Sequence, residues 1–235
     1  MTSGGPRPFM TADWNAVVGI TYAADEDRLE AHLPPGAGID QLDGAARVSL
    51  VAFVFRHTRV RGIAIPGHVR FPEINLRFYV RYRAERAVVF IREFVPRPAI
   101  TLMAKLLYNE PYRTIRMREQ IIHGDGRLGV RHRFGPRLAN RIEAWADPAA
   151  APPAAESAEY WLTHHELGLG RTRDGRTSTY RVEHPVWALH AVQELSVEVD
   201  FAALYGEAWG YLSSAEPSHV TLARGSNVRV SPAAI

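Results

Sequence analysis

A ten-residue stretch with an unusual set of polar side chains contains the residues of this sequence that are best suited to chemistry. Residues 73–82 read EINLRFYVRY, so that Glu73, Asn75, Arg77 and Tyr79 alternate with apolar residues. Strict period-two alternation with aromatic and branched residues predicts a half-buried β-strand, whose polar side chains share one face. An acid, an amide, a guanidinium and a phenol on one face can grip a small polar ligand. The same pattern is also typical of a strand whose polar face simply meets solvent.

The spacing of Glu73 and Arg77 limits how these two side chains can act. Residues four apart in a strand lie about 13 Å apart, which is too far for a direct ion pair. Inside a closed barrel, however, both would face one cavity, with Asn75 between them. Arg77 would then hold a carboxylate by a forked contact, and burial would raise the pKa of Glu73 towards the range useful for a general acid or base.

Lys105 is the only lysine in the sequence and therefore the one candidate for Schiff-base chemistry. That role requires a pKa lowered by a desolvating pocket or by a cationic neighbour. A helix predicted from about Ala99 to Tyr108 carries Thr101, Lys105 and Asn109 on its polar stripe. This position favours ordinary exposure of the lysine.

Histidines could in principle form a metal site, and the candidates are those at positions 164, 165, 184, 190 and 219. In an extended chain His184 and His190 would lie about 20 Å apart, so a metal site would need remote histidines to converge. The chain has no cysteine, which excludes thiolate ligands and cysteine nucleophiles. Phosphate-loop, dinucleotide and serine-hydrolase motifs are also absent. We therefore expect neither a metal ion nor a cofactor.

The composition is that of a globular protein, with 46% hydrophobic and 23% charged residues among 235. The pI is near 9.4 but the net charge is only +3. Because the arginines are scattered and interleaved with acids, they do not form the contiguous footprint that nucleic acid requires. No apolar run approaches the roughly 18–20 residues that cross a bilayer. The N-terminus lacks the apolar core of a signal peptide, so we expect a cytoplasmic protein.

Alternating segments and turn signals predict many strands and few helices. Strands are expected at residues 14–22, 45–55, 73–82, 87–95, 112–123, 127–134, 142–146, 179–182 and 188–199. Short helices are expected at residues 25–32, 99–108 and 156–165, the last capped by Ser157, with a helical turn near 201–205. Mostly hairpin connections then predict an α+β fold, mainly antiparallel β, in which helices lie outside a barrel or sandwich. We expect a single domain over residues 10–235, preceded by a flexible tail of residues 1–9.

Three local patterns lead to further expectations. The alanine- and proline-rich segment 147–155 (DPAAAPPAA) is typical of a surface connection. Gly168-Leu169-Gly170 lacks the context of a dinucleotide-binding loop, and we interpret it as a turn. Asp174-Gly175 predicts a hairpin, and a final pair of strands is expected around Arg224-Gly225.

The order of several motifs resembles that of the DUF2071 (YqjF-like) family, a branch of the acetoacetate decarboxylase-like superfamily. The resemblance rests on Trp14 with Thr21-Tyr22, Leu33-Pro34-Pro35-Gly36, the Glu73–Val80 strand, Asn109-Glu110-Pro111-Tyr112 and His184-Pro185-Val186-Trp187. It covers nearly the whole chain, and its most specific element is the Glu-x-Asn-Leu-Arg-x-Tyr-Val strand.

The resemblance implies a cone-like antiparallel β-barrel with flanking helices, whose inner face lines a cavity for a small molecule. It would therefore turn the polar face of the Glu73 strand inward. In the decarboxylases a Gly-x-Pro-Lys-Lys segment carries the Schiff-base lysine, and Tyr112 and Arg113 stand at the similar place in this chain. Imine-based decarboxylation is therefore not expected. His164-His165-Glu166 also departs from the Glu-Arg-Tyr-like segment usual in the family.

These observations lead to two hypotheses about function. The first is an enzyme, such as one of secondary metabolism, that performs lysine-independent acid/base chemistry on a carbonyl or carboxylate compound in a lyase, dehydratase, isomerase or cyclase step. Glu73 and Arg77 would be catalytic, and the substrate would be bound by Asn75, Tyr79, Tyr112, His184, Trp187 and His219. The second is a non-catalytic protein of the same fold that binds a small anion. The expected partner is a small anionic or carbonyl-containing ligand, with no nucleic acid and no membrane, and assembly into a homo-oligomer is left open.

Overall fold

The computed structural model of the chain describes residues 8–107, 109–232 and 234, with the backbone alone at residues 105–107. Most of the described chain is β-structure. Its α-helices are α1 (Glu26–Glu30), α2 (Pro98–Leu107), α3 (Ala158–Thr163) and α4 (Phe201–Tyr205). Its strands are β1 (Met10–Ala23), β2 (Gly38–Ile39), β3 (Gln41–Leu42), β4 (Ala45–Val60), β5 (Phe71–Tyr82), β6 (Glu85–Val95), β7 (Tyr112–Thr114), β8 (Met117–Gly124), β9 (Arg127–Phe134), β10 (Asn140–Ala151), β11 (Leu167–Arg171), β12 (Thr177–Glu183), β13 (Leu189–Glu198), β14 (His219–Ala223) and β15 (Asn227–Val230). None of the described helices is long and apolar enough to span a membrane.

Seven strands close into a barrel in the order β4-β5-β6-β11-β12-β15-β1, and pairing between β1 and β4 completes the circle. Neighbouring strands in the barrel run antiparallel except for β6 and β11, which pair in parallel. Helices are few and short. The predicted mainly antiparallel β-barrel with short flanking helices is therefore confirmed.

The same sheet continues beyond the barrel from β1 through β14, β13, β10, β9 and β8, and this extension covers one outer face of the barrel. Ile74 and Leu76 of β5 share one apolar core with Val130 of β9 and Ile142 of β10. Because successive strand residues point to opposite faces, the polar residues of β5 point into the barrel. Strand β5 is thus buried on both faces.

A β-bulge in β6 changes which of its residues point inward. Leu76 pairs with Arg92, but the next residue, Arg77, pairs with Phe90, so Ile91 is an extra residue without a partner. Asn75 pairs with Glu93, and directly opposed residues lie on the same face of a sheet. The bulge therefore brings Glu93 to the inner face.

The segment 147–155 differs from its prediction as a surface connection. Residues 147–151 extend the predicted strand at 142–146, and β10 runs from Asn140 to Ala151. Ala150 and Ala151 pair with His190 and Leu189 of β13. The prediction was wrong for these residues because a neighbouring strand satisfies their backbone groups, and composition alone does not show this.

The predicted turn at Gly168-Leu169-Gly170 is instead the centre of the buried strand β11. Gly168 pairs with Tyr180 of β12. A Cβ atom at position 168 would lie 2.4 Å from Cζ of the Tyr180 ring. Glycine at this position thus reflects the close approach of a ring to a strand, and the interpretation as a turn was wrong.

Several other local predictions can be compared with the structure. Antiparallel hairpins join β5 to β6, β8 to β9 and β11 to β12, as predicted. Ser157 caps α3 by accepting a hydrogen bond from the Tyr160 amide, as predicted. The predicted strand 112–123 is divided into β7, which pairs in parallel with β6, and β8. The last two strands, β14 and β15, lie on either side of Arg224-Gly225, but they do not pair with each other, because each of them pairs with β1. Tyr108, at the end of the predicted helix, lies outside the described residues.

Replacing Gly168 by alanine tests the close approach of the Tyr180 ring. The added methyl group would overlap the ring, so we expect Gly168→Ala to lower the free energy of unfolding by about 1–3 kcal/mol. Urea unfolding measures this. Gly124→Ala is the matched control, because a Cβ atom there would meet no atom within 4 Å. Equal stability of the two variants would contradict the packing described here.

Candidate functional site

A cavity of about 120 Å³ lies inside the barrel beneath α2. Its walls are mainly apolar and include side chains from β1, β4, β5, β6 and α2: Trp14, Phe55, Phe71, Phe90, Ile100 and Met103. Polar side chains reach the cavity from β5, β6, β7, β12 and the segment after α2. The cavity therefore combines an apolar wall with a small set of polar groups, as ligand sites commonly do.

Glu73 lies in the wall of this cavity with only 3% of its surface exposed, and both of its carboxylate oxygens accept hydrogen bonds. The Asn75 amide nitrogen donates to Oε1 at 3.1 Å, and the Tyr112 hydroxyl donates to Oε2 at 2.9 Å. Burial raises the pKa of Glu73 to about 7, while the hydrogen bonds from Asn75 and Tyr112 oppose the rise. The carboxyl can therefore change its protonation state near neutral pH.

Glu93 is a second buried carboxyl, which is hydrogen-bonded to the carboxyl of Glu73. Burial, followed by the negative charges of Glu73 and Glu110, raises the pKa of Glu93 well above its usual range. Two carboxyls in contact cannot both ionise in a dry site. The pair therefore shares a proton, with Glu93 as its donor.

Glu110 is a third buried carboxyl, and it is hydrogen-bonded to Tyr180. Burial is the main cause that raises its pKa to about 8, and the charge of Glu73 adds to this rise. Asn109 precedes it with a φ of 52°, in the left-handed region that asparagine tolerates. The Asn109 amide nitrogen also donates to the Arg171 carbonyl at 2.6 Å. This turn directs Glu110 into the cavity.

Arg77 lines the same cavity and is the cationic residue of the described lining. Its Nη2 donates to the Leu162 carbonyl at 3.3 Å, and its guanidinium lies 5.8 Å from the centre of the Tyr79 ring. Its Nε atom is buried without a hydrogen-bond partner. Part of its hydrogen-bonding capacity is thus available to a ligand.

Four of the predicted site residues line this cavity: Glu73, Asn75, Arg77 and Tyr112. The other four predicted residues lie outside this lining: Tyr79, His184, Trp187 and His219. The grouping follows from alternation along β5 and from the parallel pairing of Tyr112 in β7 with Glu93 in β6.

Tyr79 bonds to the Ser49 hydroxyl at 2.7 Å and packs on Trp161 of α3, away from the cavity lining. The His184 ring stacks on Trp187 at 4.1 Å in the connection between β12 and β13. His219 lies in β14, outside the seven barrel strands. The positions of these four residues therefore do not support direct contact with a ligand in this cavity.

Glu93, Glu110 and Tyr180 line the cavity but were not among the residues predicted from the sequence. Simple alternation along β6 places Glu93 opposite to Phe90, and the bulge at Ile91 reverses this. Glu110 belongs to one of the motifs on which the family resemblance rests. It lies outside any periodic segment, so the sequence does not show in which direction its side chain points. A glycine opposite an aromatic residue on paired strands could have indicated Tyr180.

Two other predicted features concern a metal site and the single lysine. Within residues 8–107, 109–232 and 234, no group of three or more histidine or acidic side chains is arranged to hold a metal ion. The prediction that Lys105 is exposed concerns a side chain that lies outside the described part of the structure.

The fold is that of acetoacetate decarboxylase-like proteins. Acetoacetate decarboxylase from Legionella pneumophila is similar with a TM-score of 0.63 and 14% identity, covering 99% of this chain and 90% of that one. An acetoacetate decarboxylase-like enzyme from Sphingomonas wittichii RW1 gives 0.63 and 12%, over 95% and 91% of the two chains. The enduracididine biosynthesis enzyme MppR, complexed with pyruvate, gives 0.61 and 14%, over 96% and 88%. At these identities the similarity shows the shared fold.

Sequence comparison then identifies the family within this class. The DUF2071 family, described as an uncharacterized conserved protein, matches residues 11–227. The YqjF protein of Bacillus subtilis (strain 168) is 30% identical over 192 residues, which cover 80% of this chain and 78% of YqjF. The chain belongs to the DUF2071 family, and the resemblance stated from its motifs is confirmed.

The buried carboxyls predict how stability depends on pH. Because the pKa of Glu110 is raised on folding from 4.5 to about 8, the folded state holds this proton more tightly. The stability that Glu110 contributes is therefore fully present below about pH 4.5 and is lost as the pH rises towards 8. Each pKa unit corresponds to about 1.4 kcal/mol, so Glu110→Gln should remove several kcal/mol of this fall. Urea unfolding at pH 5 to 9 measures it.

Glu216→Gln is the control for this titration, because Glu216 is an exposed residue. We expect its pH profile to follow that of the unsubstituted protein. If the profile of Glu110→Gln also ran parallel to the unsubstituted one, the raised pKa of Glu110 would be wrong.

Proposed function

We propose that this protein is an enzyme that performs acid/base chemistry, without a Schiff-base lysine, on a small carbonyl or carboxylate compound in the barrel cavity. The reaction class is a lyase, dehydratase, isomerase or cyclase step. The observation that carries the proposal is the hydrogen-bonded pair of Glu73 and Glu93 in a mainly apolar cavity. A protein of this kind would act in the cytoplasm, with a small molecule as its partner rather than nucleic acid or a membrane.

Glu73 is the proposed proton-transfer group. A general base is most effective when its pKa lies near the working pH, and burial raises the pKa of Glu73 to about 7. The ionised carboxylate would take a proton from the carbon next to a carbonyl group. Once Glu73 holds this proton, the Tyr112 hydroxyl and protonated Glu93, which donate to the Glu73 carboxylate beforehand, would turn their hydrogens to the oxygen on which negative charge develops. Glu73 would then return the proton to a carbon atom of the substrate, which completes an isomerisation without any amine nucleophile.

Arg77 is the proposed anchor for an anionic group of the substrate. Its guanidinium lines the same cavity, and its Nε atom is a buried donor without a partner. Arginine binds carboxylates through two parallel hydrogen bonds, which fix orientation as well as charge. Such an anchor would hold the reacting carbon against Glu73.

A binding protein without chemistry is the second candidate, and one observation favours it. Both carboxylate oxygens of Glu73 already accept hydrogen bonds, from Asn75 and from Tyr112. A base with both oxygens bonded is less available to take a proton. The two candidates differ in whether the carbon-bound protons of the ligand are transferred to Glu73.

Exchange of carbon-bound protons in heavy water, followed by ¹H NMR, tests the proposed chemistry on pyruvate, 2-oxobutanoate and acetoacetate. We expect Glu73→Gln to lower the exchange rate by about 10²-fold or more, because it removes the general base. Arg77→Ala should mainly raise KM, because it removes binding of the anionic group. Glu216→Gln, at an exposed position, should leave both unchanged.

Unchanged exchange in both Glu73→Gln and Arg77→Ala would contradict the enzyme proposal. Calorimetric binding of one of these compounds, with neither exchange nor product after long incubation, would instead favour the binding protein.

A further inference from the structure

We propose that the ligand of this cavity carries a positively charged ammonium group, which is bound by the side-chain oxygens of Asn75, Glu93 and Glu110. This inference rests on the proposed function, because it assigns a ligand class to the same cavity. The anionic end of the ligand would contact Arg77, and the ammonium group would contact the carboxyls. The ligand class is therefore a short amino acid or an amino-substituted carbonyl acid.

The described charges of the cavity favour a cation at the glutamate end. Strand β5 contributes Glu73 and Arg77, β6 contributes Glu93, and the segment after α2 contributes Glu110. The other titratable groups of the described lining are the phenols of β7 and β12, Tyr112 and Tyr180. Three carboxyls thus face one guanidinium. A ligand that is only anionic would bind to Arg77, but it would not explain why three glutamates line the same cavity.

Unpartnered acceptor atoms are an independent sign that a donor-rich ligand binds here. Asn75 is 2% exposed, Glu93 2% and Glu110 5%. Each leaves one oxygen buried without a hydrogen-bond partner: Oδ1 of Asn75 and Oε1 of each glutamate. Leaving a buried polar atom without a partner is energetically unfavourable. Such atoms in a cavity wall indicate contacts that a ligand completes.

The chemistry of these three oxygens selects the ligand group. The amide oxygen of Asn75 can only accept hydrogen bonds, and its amide nitrogen is already bonded to Glu73. A carbonyl or carboxylate oxygen on the ligand cannot donate to it. An ammonium group has three N–H donors and no acceptor. It therefore matches the three unpartnered oxygens in number, and it matches them in polarity once Glu93 and Glu110 are ionised.

The rest of the cavity suits a short ligand with this cationic end. Trp14, Phe55, Phe71 and Phe90 line it, and aromatic faces attract ammonium groups. Burial raises the pKa values of Glu93 and Glu110, so that these carboxyls hold protons and remain uncharged until a cation binds. An arriving cation would favour their ionised forms. Binding near pH 6.5 should therefore release protons.

Isothermal titration calorimetry with pairs of isosteric acids tests the inference. The probes are 3-aminopropanoate, 4-aminobutanoate and 5-aminopentanoate, each compared with the fatty acid in which a methyl group replaces the ammonium: butanoate, pentanoate and hexanoate. Apolar walls alone would favour the fatty acids. We expect the amino acid of at least one pair to bind about tenfold or more tightly than its fatty acid, because it supplies charged hydrogen bonds. Titration in two buffers of different ionisation enthalpy should show proton release.

Substitutions then locate the ammonium contact. Glu110→Gln should lower the affinity for the preferred amino acid about tenfold or more and leave the affinity for its fatty acid nearly unchanged. Glu93→Gln is a second variant with the same expectation, and circular dichroism verifies that each is folded. Glu216→Gln, an exposed control, should change neither affinity.

Two outcomes would overturn the inference. One is that every fatty acid binds as tightly as its amino acid, or more tightly. The other is that none of the three amino acids binds at about 10 mM, roughly tenfold above a millimolar dissociation constant. These measurements need no turnover, so a preference for amino acids together with no proton exchange would contradict only the enzyme proposal.

Discussion

The hydrogen bond between the buried carboxyls of Glu73 and Glu93 is the contact on which the whole candidate site depends. Two carboxyls can remain in contact inside an apolar barrel only if they share a proton. Tyr112 and Asn75 complete this arrangement by donating to Glu73. The closed barrel excludes water from the group, and exclusion of water raises the pKa values towards neutrality. Fold and chemistry are therefore linked by desolvation.

Local departures from regular strand geometry bring the polar groups together. The extension of the sheet beyond the barrel covers the apolar face of β5, so the opposite face carries its polar residues into the barrel. The extra residue Ile91 turns Glu93 to that face. Gly168 allows the Tyr180 ring to cross β11, where the hydroxyl bonds Glu110. Each feature disturbs an ideal strand, and each one places a group of the site.

The sequence predicted the fold class and part of the site, and the remainder depended on long-range structure. Alternation within β5 was sufficient to group Glu73, Asn75 and Arg77, because strand periodicity is local. Glu93 could not be found in this way, since the bulge that turns it inward appears only when β6 pairs with β5. The alanine-rich part of β10 was missed for a related reason, because its partner β13 is distant in sequence. Family resemblance supplied the inward direction of the polar face.

The protonation of the three glutamates is the central claim, and ¹³C NMR titration of their side-chain carboxyl carbons tests it most directly. The protein labelled with ¹³C at the glutamate side-chain carboxyl would be titrated from pH 4 to 9. The signals of Glu73, Glu93 and Glu110 would be assigned by the single Gln variants. The structure predicts that Glu73 and Glu110 titrate near pH 7 and 8 and that Glu93 stays protonated through neutral pH. If all three carboxyls ionised between about pH 4 and 5, as exposed glutamates do, the account of this site would be wrong.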